Sequence, residues 1–137
     1  MRVMHRTIFL IGIAILALVV FILQTYALDL YLYLYLYLYW TFWWFDILMH
    51  GLGGALIGAL ALWFFVFEFR GRLDRLLLLS LGSVLVVGIL WEIFEKVIGW
   101  QVDRSLADYV LDTAGDLTMD IIGAFAAYLL CSRIWSR

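Results

Sequence analysis

The chain has no proline, a single cysteine, and charged side chains at only 15% of its 137 positions. Each shortage excludes something. Without proline, no helix is forced to kink or stop. With Cys131 alone, no internal disulfide can form and a thiolate metal cluster is ruled out. Ordinary soluble domains carry about 25% charged residues, so this chain has too few to solvate a water-facing surface. Its nine Lys and Arg are outnumbered by eleven Asp and Glu and form no basic stripe, which argues against a nucleic-acid partner.

What the chain has in excess is apolar surface: 67% of its residues are hydrophobic, against roughly 45–50% in soluble domains. Crossing a bilayer takes about 20 predominantly apolar residues in a helix. Four stretches satisfy this, at residues 7–28, 45–69, 76–98 and 112–131. The expected fold is therefore all-α, a single transmembrane domain over residues 1–137 built as a bundle of four transmembrane helices. The first run is too long for a signal-peptide core and no small-x-small cleavage site closes it, so it reads as a retained helix.

Arginine placement sets the expected orientation, because cytoplasmic loops are enriched in Lys and Arg. Arg2 and Arg6 precede the first span, Arg70, Arg72 and Arg75 join the second to the third, and Arg133 and Arg137 follow the fourth. All seven fall on one side of a four-span bundle, and only Lys96 and Arg104 fall on the other. The reading is a multi-pass protein of the cell (cytoplasmic) membrane with both termini in the cytoplasm, N-in and C-in.

Residues 29–44 then face outward. They contain YLYLYLYLYW, whose period of two is a strand period rather than a helix period. An isolated strand at a membrane leaves its backbone unpaired, whereas Tyr and Trp collect at the headgroup level. The expectation is an interfacial aromatic segment, continued by Trp43 and Trp44.

Apart from Glu68, which lies by the arginines joining the second span to the third, six carboxylates and one histidine fall within or at the ends of the spans, at helical spacing. Asp46 and His50 are four apart, Glu92 and Glu95 three apart, and Asp112, Asp116 and Asp120 follow at intervals of four, so each set shares one helix face. At about 1.5 Å of rise per residue, His50 lies roughly 28 Å, Glu92 and Asp116 roughly 24 Å, and Asp120 roughly 18 Å from the arginine-bearing ends of their helices. Three antiparallel helices thus bring these groups to the outer half of a core about 30 Å thick. A charged carboxylate there costs about 2.5–3.5 kcal/mol on insertion scales, so metal, protons, a cationic partner or water must offset it.

The expected site comprises Asp46, His50, Glu92, Glu95, Asp116 and Asp120 as candidate metal ligands, with Asp112, Arg104 and Lys96 at its rim. Carboxylates with one imidazole suit Mg²⁺, Mn²⁺, Fe²⁺ or Zn²⁺. Gly54, Gly58, Gly88 and Gly123 are expected to let helices approach closely, as small residues do in membranes.

The segments FDILMHGLGG, LWEIFEK and DTAGDLTMDIIGA run in the order D-x3-H, E-x2-E, D-x3-D-x2-G. This order resembles the VanZ-like membrane proteins and the related YjdF-like family of unknown function, with WEIFE and DT-x2-D nearer the latter. The resemblance covers residues 46–127. It implies a cell-envelope setting, associated in VanZ-like proteins with glycopeptide-antibiotic resistance, and no established reaction. Ile47 and Gly51 stand where VanZ-like chains often carry Lys and an aromatic, and Glu95 and Asp120 stand at the usual Gln and Asn positions, making this site more acidic.

Three functions remain compatible with these residues. One is a metal-dependent protein acting on an envelope lipid or lipid phosphate, although neither a nucleophile signature nor an HExxH motif is present. Another is a cation or proton channel or transporter, since intramembrane carboxylates mark such paths. The third is a polar network that fixes helix register and holds no ligand. Membrane lipids, and further copies of the chain, are the partners these readings allow.

Overall fold

The computed structural model describes residues 2–28, 38–68, 73–98 and 105–135. Five helices account for nearly all of them: α1 (Arg2–Leu28), α2 (Leu38–Thr41), α3 (Trp43–Trp63), α4 (Leu73–Val97) and α5 (Leu106–Trp135). No strand occurs among the described residues. Four of the helices are long and apolar enough to cross a membrane, through Arg6–Ala27, Trp43–Phe67, Arg75–Val97 and Leu106–Arg133.

Helix α3 begins without a side-chain cap, after Phe42 in an extended conformation. It ends by widening into one π-helical stretch, Phe64–Glu68, a wider turn that is rare outside single bulges. Helix α5 starts six residues before the expected fourth span. Ser105 is the cause: its hydroxyl accepts a hydrogen bond from the Asp108 backbone N–H at 3.2 Å and donates to the Asp108 carboxylate at 2.7 Å. This Ser-x-x-Asp arrangement is a helix-starting signal legible in the sequence, which an apolar window passes over because residues 106–112 are mixed.

The most extensive interface joins α3 to α5, with α4 packed on both and α1 mainly on α3. Glycine makes the α3–α5 approach what it is. A Cβ on Gly54 would strike the Asp120 backbone carbonyl, and one on Gly123 would strike that of Gly51. At Gly58 it would come within 2.8 Å of the Ala124 Cα. Across to α4, the buried Ser80 hydroxyl donates to the Gly58 carbonyl at 3.2 Å.

Two apolar clusters bracket the bundle. One gathers Ile13, Ala59, Leu62, Val66, Leu76, Ala127 and Cys131 toward the ends carrying Arg6, Arg75 and Arg133. The other gathers Ala27, Phe45 and Met49, with Val20, Leu23, Leu38 and Tyr39 against them, toward the opposite end. Helix α1 buries only 6% of its most apolar window inside the protein. Its exposed Ile8, Ile11, Ile15, Leu18 and Phe21 are accounted for by hydrocarbon rather than by a protein core.

Of the interfacial segment 29–44, residues 29–37 with most of the Tyr/Leu repeat lie outside the described residues. The remainder forms α2 and the start of α3. Tyr39 on α2 donates to Gln24 Oε1 of α1 at 2.6 Å and packs edge-on against Phe45, with centroids 5.0 Å apart. Burial, and next the Asp46 carboxylate, push this phenol above its ordinary range, so it remains a donor.

Candidate functional site

The candidate ligands come from α3, α4 and α5 toward the end of the bundle where Phe45 and Met49 of the second apolar cluster also lie. Helical phase explains why they converge: Asp46 and His50 share a face of α3 one turn apart, as Asp116 and Asp120 do on α5. His50, Glu92, Glu95, Asp116 and Asp120 are all buried, with Glu92 and Asp116 each only 3% exposed.

His50 is the hub. Its Nε2 faces three carboxylate oxygens, one from each helix: Asp46 Oδ1 at 3.8 Å, Asp116 Oδ2 at 3.9 Å and Glu92 Oε1 at 4.0 Å. These distances are nearly equal, and all exceed the 2.7–3.2 Å of an N–H···O hydrogen bond. Asp116 Oδ2 and Glu92 Oε1 are fully buried and have no hydrogen-bond partner among the described residues. Buried polar atoms are almost always satisfied, so two unsatisfied oxygens aimed at one point are an exception that needs an explanation. Asp46, His50 and Asp116 offer ligand atoms that all lie within 4.8 Å of one another. Ligand atoms about 2.1 Å from a shared ion sit about 3.0–4.2 Å apart, from cis to trans. A contraction of up to about an ångström would bring this group to that geometry.

The other contacts set the orientation of these groups. Asp120 does not join the Nε2 side; its Oδ1 lies 3.4 Å from His50 Nδ1. A carboxylate on the far nitrogen of a histidine fixes the tautomer and aims the near nitrogen at its ligand. Gly88 makes room for it, since a Cβ there would come within 2.6 Å of Asp120 Oδ2. Thr113 on α5 donates to Glu92 Oε2 at 2.6 Å, leaving Oε1 directed at His50. Glu95 accepts from Trp91 Nε1 at 2.8 Å and does not face Nε2.

Of the expected rim, Asp112 is half-buried one turn above Asp116. Lys96 does not reach Glu92; its ammonium sits 4.5 Å from the Tyr109 ring centroid, a cation–π contact at the exposed edge. Arg104 lies outside the described residues.

A cleft of about 370 Å³ opens beside the cluster. Val20 and Gln24 of α1 form one wall and Val84, Val87 and Trp91 of α4 the other, over a floor of Met49, Gly53 and Ile57 from α3. Asp46, His50, Glu95 and Asp120 close one end, with Tyr39 above them. The Asp46–His50 edge thus belongs both to the carboxylate group and to the cleft, and Asp46 is its most open member, its side chain 30% exposed. Gln24 escapes notice in the sequence, and the contacts of Tyr39 and Thr113 are not legible there although the segments that hold them are. A single polar residue in an apolar run carries no spacing signal, and these contacts depend on how α2 lies against α1 and how α5 lies against α4.

Fold and site together define a class: a multi-pass helical membrane protein with a buried cluster of one histidine and several carboxylates, able by its geometry to hold a metal ion. The chain belongs to the family described as "Predicted membrane protein (DUF2238)", whose match spans residues 3–137. No curated protein and no solved structure matches it.

Proposed function

We propose that the protein holds a divalent metal ion between His50 Nε2 and the carboxylates of Asp46, Glu92 and Asp116, and uses it on the phosphate of a membrane lipid. The observation that carries this reading is the pair of buried, unpartnered oxygens, Glu92 Oε1 and Asp116 Oδ2, pointed at the same imidazole nitrogen. One imidazole with three carboxylates suits Mn²⁺, Fe²⁺ or Zn²⁺, and Mg²⁺ if waters complete its shell. A bound cation would offset the mutual repulsion of the carboxylates and offer a phosphate oxygen a partner at the open Asp46–His50 edge. Glu95, at the polar end of the cleft and hydrogen-bonded by Trp91, would take a proton from water. The water oxygen then bonds to phosphorus, the phosphorus–oxygen bond to the lipid breaks, and the proton passes to the departing oxygen.

Transport is the weaker reading because the described residues offer no polar route onward. Below the cluster Ser80 spends its hydroxyl on Gly58, and Leu62, Leu76 and Ala127 fill the core. The VanZ-like and YjdF-like resemblance of the three segments is part of this proposal, and so is the membrane: the cell membrane, with the site in its outer half and both termini in the cytoplasm. A C-terminal green fluorescent protein fusion should then fluoresce, while an alkaline phosphatase fusion should be inactive. The opposite pattern would invert the orientation.

The direct test is elemental analysis of protein purified without chelator. About one divalent ion per chain is expected, with His50→Ala lowering metal affinity by at least about 10-fold. Folded wild-type protein that stays metal-free after incubation with Mn²⁺, Fe²⁺ or Zn²⁺ would overturn the proposal.

A further inference from the structure

Helices α1 and α4 are not packed on each other among the described residues. Both flank α3, and the cleft lies in the gap between them, within the apolar length of each. Its walls there are Val20, Val84 and Val87, and its floor is Ile57 and Gly53, the latter without a side chain. A Cβ added at Gly53 would meet nothing within 4 Å, so that floor is open space. At this depth the surrounding medium is hydrocarbon, and an apolar trough open to the side is wetted by lipid chains rather than by water. Polarity is confined to one end, where Asp46 and His50 stand.

We propose that this cleft takes one hydrocarbon chain of a phosphate-bearing lipid, entering sideways from the bilayer between α1 and α4, with its phosphate stopping at the Asp46–His50 edge. The part concerning the phosphate rests on the metal centre proposed above; the part concerning the chain rests on the cleft alone. A volume of about 370 Å³ is at the lower end of the range for small-ligand sites and suits one chain rather than two. Gly53 sets the bore: any larger residue there occupies the space the chain would use.

The test uses dodecyl phosphate and dodecanol as probes. Full-length protein is held in digitonin, a sterol-based detergent without an alkyl chain, and adducts are counted by native mass spectrometry. Metal-loaded wild type should bind about one dodecyl phosphate per chain. Gly53→Phe, and Val87→Trp from the opposite wall should the first variant misfold, should weaken binding at least 10-fold with metal content unchanged. Undiminished binding in a folded variant would overturn the proposal. So would a variant that alters oligomeric state yet keeps dodecyl phosphate, because a second copy would then be what covers the cleft. Dodecanol separates the two readings. If the wild type holds no metal but takes dodecanol, and Gly53→Phe abolishes this, the metal centre falls and the chain site stands. If metal is bound and neither amphiphile is, the chain site falls and the metal centre stands.

Discussion

Asp116→Asn is expected to shift thermal stability in opposite directions with and without metal. In metal-loaded protein the change removes a ligand. Stabilisation by a bound ligand grows with its occupancy, reaching about 2.7 kcal/mol at one hundred times its dissociation constant, so loss of that linkage should lower the unfolding midpoint by roughly 10 °C. In metal-free protein the same change removes one of the carboxylates crowded around a single imidazole, and less like-charge repulsion should raise the midpoint by a few degrees. Thermal unfolding of both forms, followed by tryptophan fluorescence, reads the sign. A drop of equal size in the two states would mean that Asp116 serves only as a structural hydrogen-bonding group, and would favour the polar network without a ligand.

Gly54→Ala, like Gly123→Ala, should be strongly destabilising, because a new Cβ at either position meets backbone, while Gly53→Ala should cost nothing. At Gly54 the new Cβ meets the backbone of Asp120, which cannot rotate away as a side chain would. Overpacking of this kind costs about 1–3 kcal/mol, occasionally more, and a backbone obstacle argues for the upper end, roughly 10 °C in midpoint. At Gly53 the Cβ enters open space, and alanine is the better helix former by about 0.5–1 kcal/mol. Metal affinity should separate the two variants as well. The displaced Asp120 is the partner of His50 Nδ1, so Gly54→Ala should weaken metal binding and Gly53→Ala should not. Equal midpoints for both variants would show that the close α3–α5 approach is not what holds the bundle.

Much of this was legible in the sequence, for identifiable reasons. Apolar runs longer than a bilayer is thick, with no proline to interrupt them, leave few alternatives to spanning helices. Spacings of three and four residues place side chains on common faces whatever the tertiary structure, which is why Asp46, His50, Glu92, Asp116 and Asp120 converge as expected. Spacing does not say which nitrogen of His50 each carboxylate faces. That depends on the rotation of α5 against α3, set by Gly54 and Gly123, and it puts Asp120 on Nδ1 while Asp116 faces Nε2. Nor does spacing say whether a neighbour one turn on is a partner: Lys96 follows Glu92 by four residues, yet the two point to different sides, and Tyr109 takes the cation. Helix α1, which reads as support because its sequence is almost uniformly apolar, supplies one wall of the cleft through Val20 and Gln24.

The dominance of the α3–α5 interface also has a consequence for the order in which the molecule is made. Synthesis runs from the N-terminus, and chains generally fold in that direction as they emerge. When α3 and α4 have been delivered to the bilayer, Asp46, His50, Glu92 and Glu95 are already there, but Asp116, Asp120 and the hydroxyl of Thr113, all on α5, have not yet reached it. The glycine contacts that seat α3 against α5 form only when the last helix arrives, and the same arrival completes the ring around His50. A chain truncated before residue 116 can therefore insert its earlier helices but cannot finish the site, and the ion this centre is proposed to hold can be loaded only after translation of the final span.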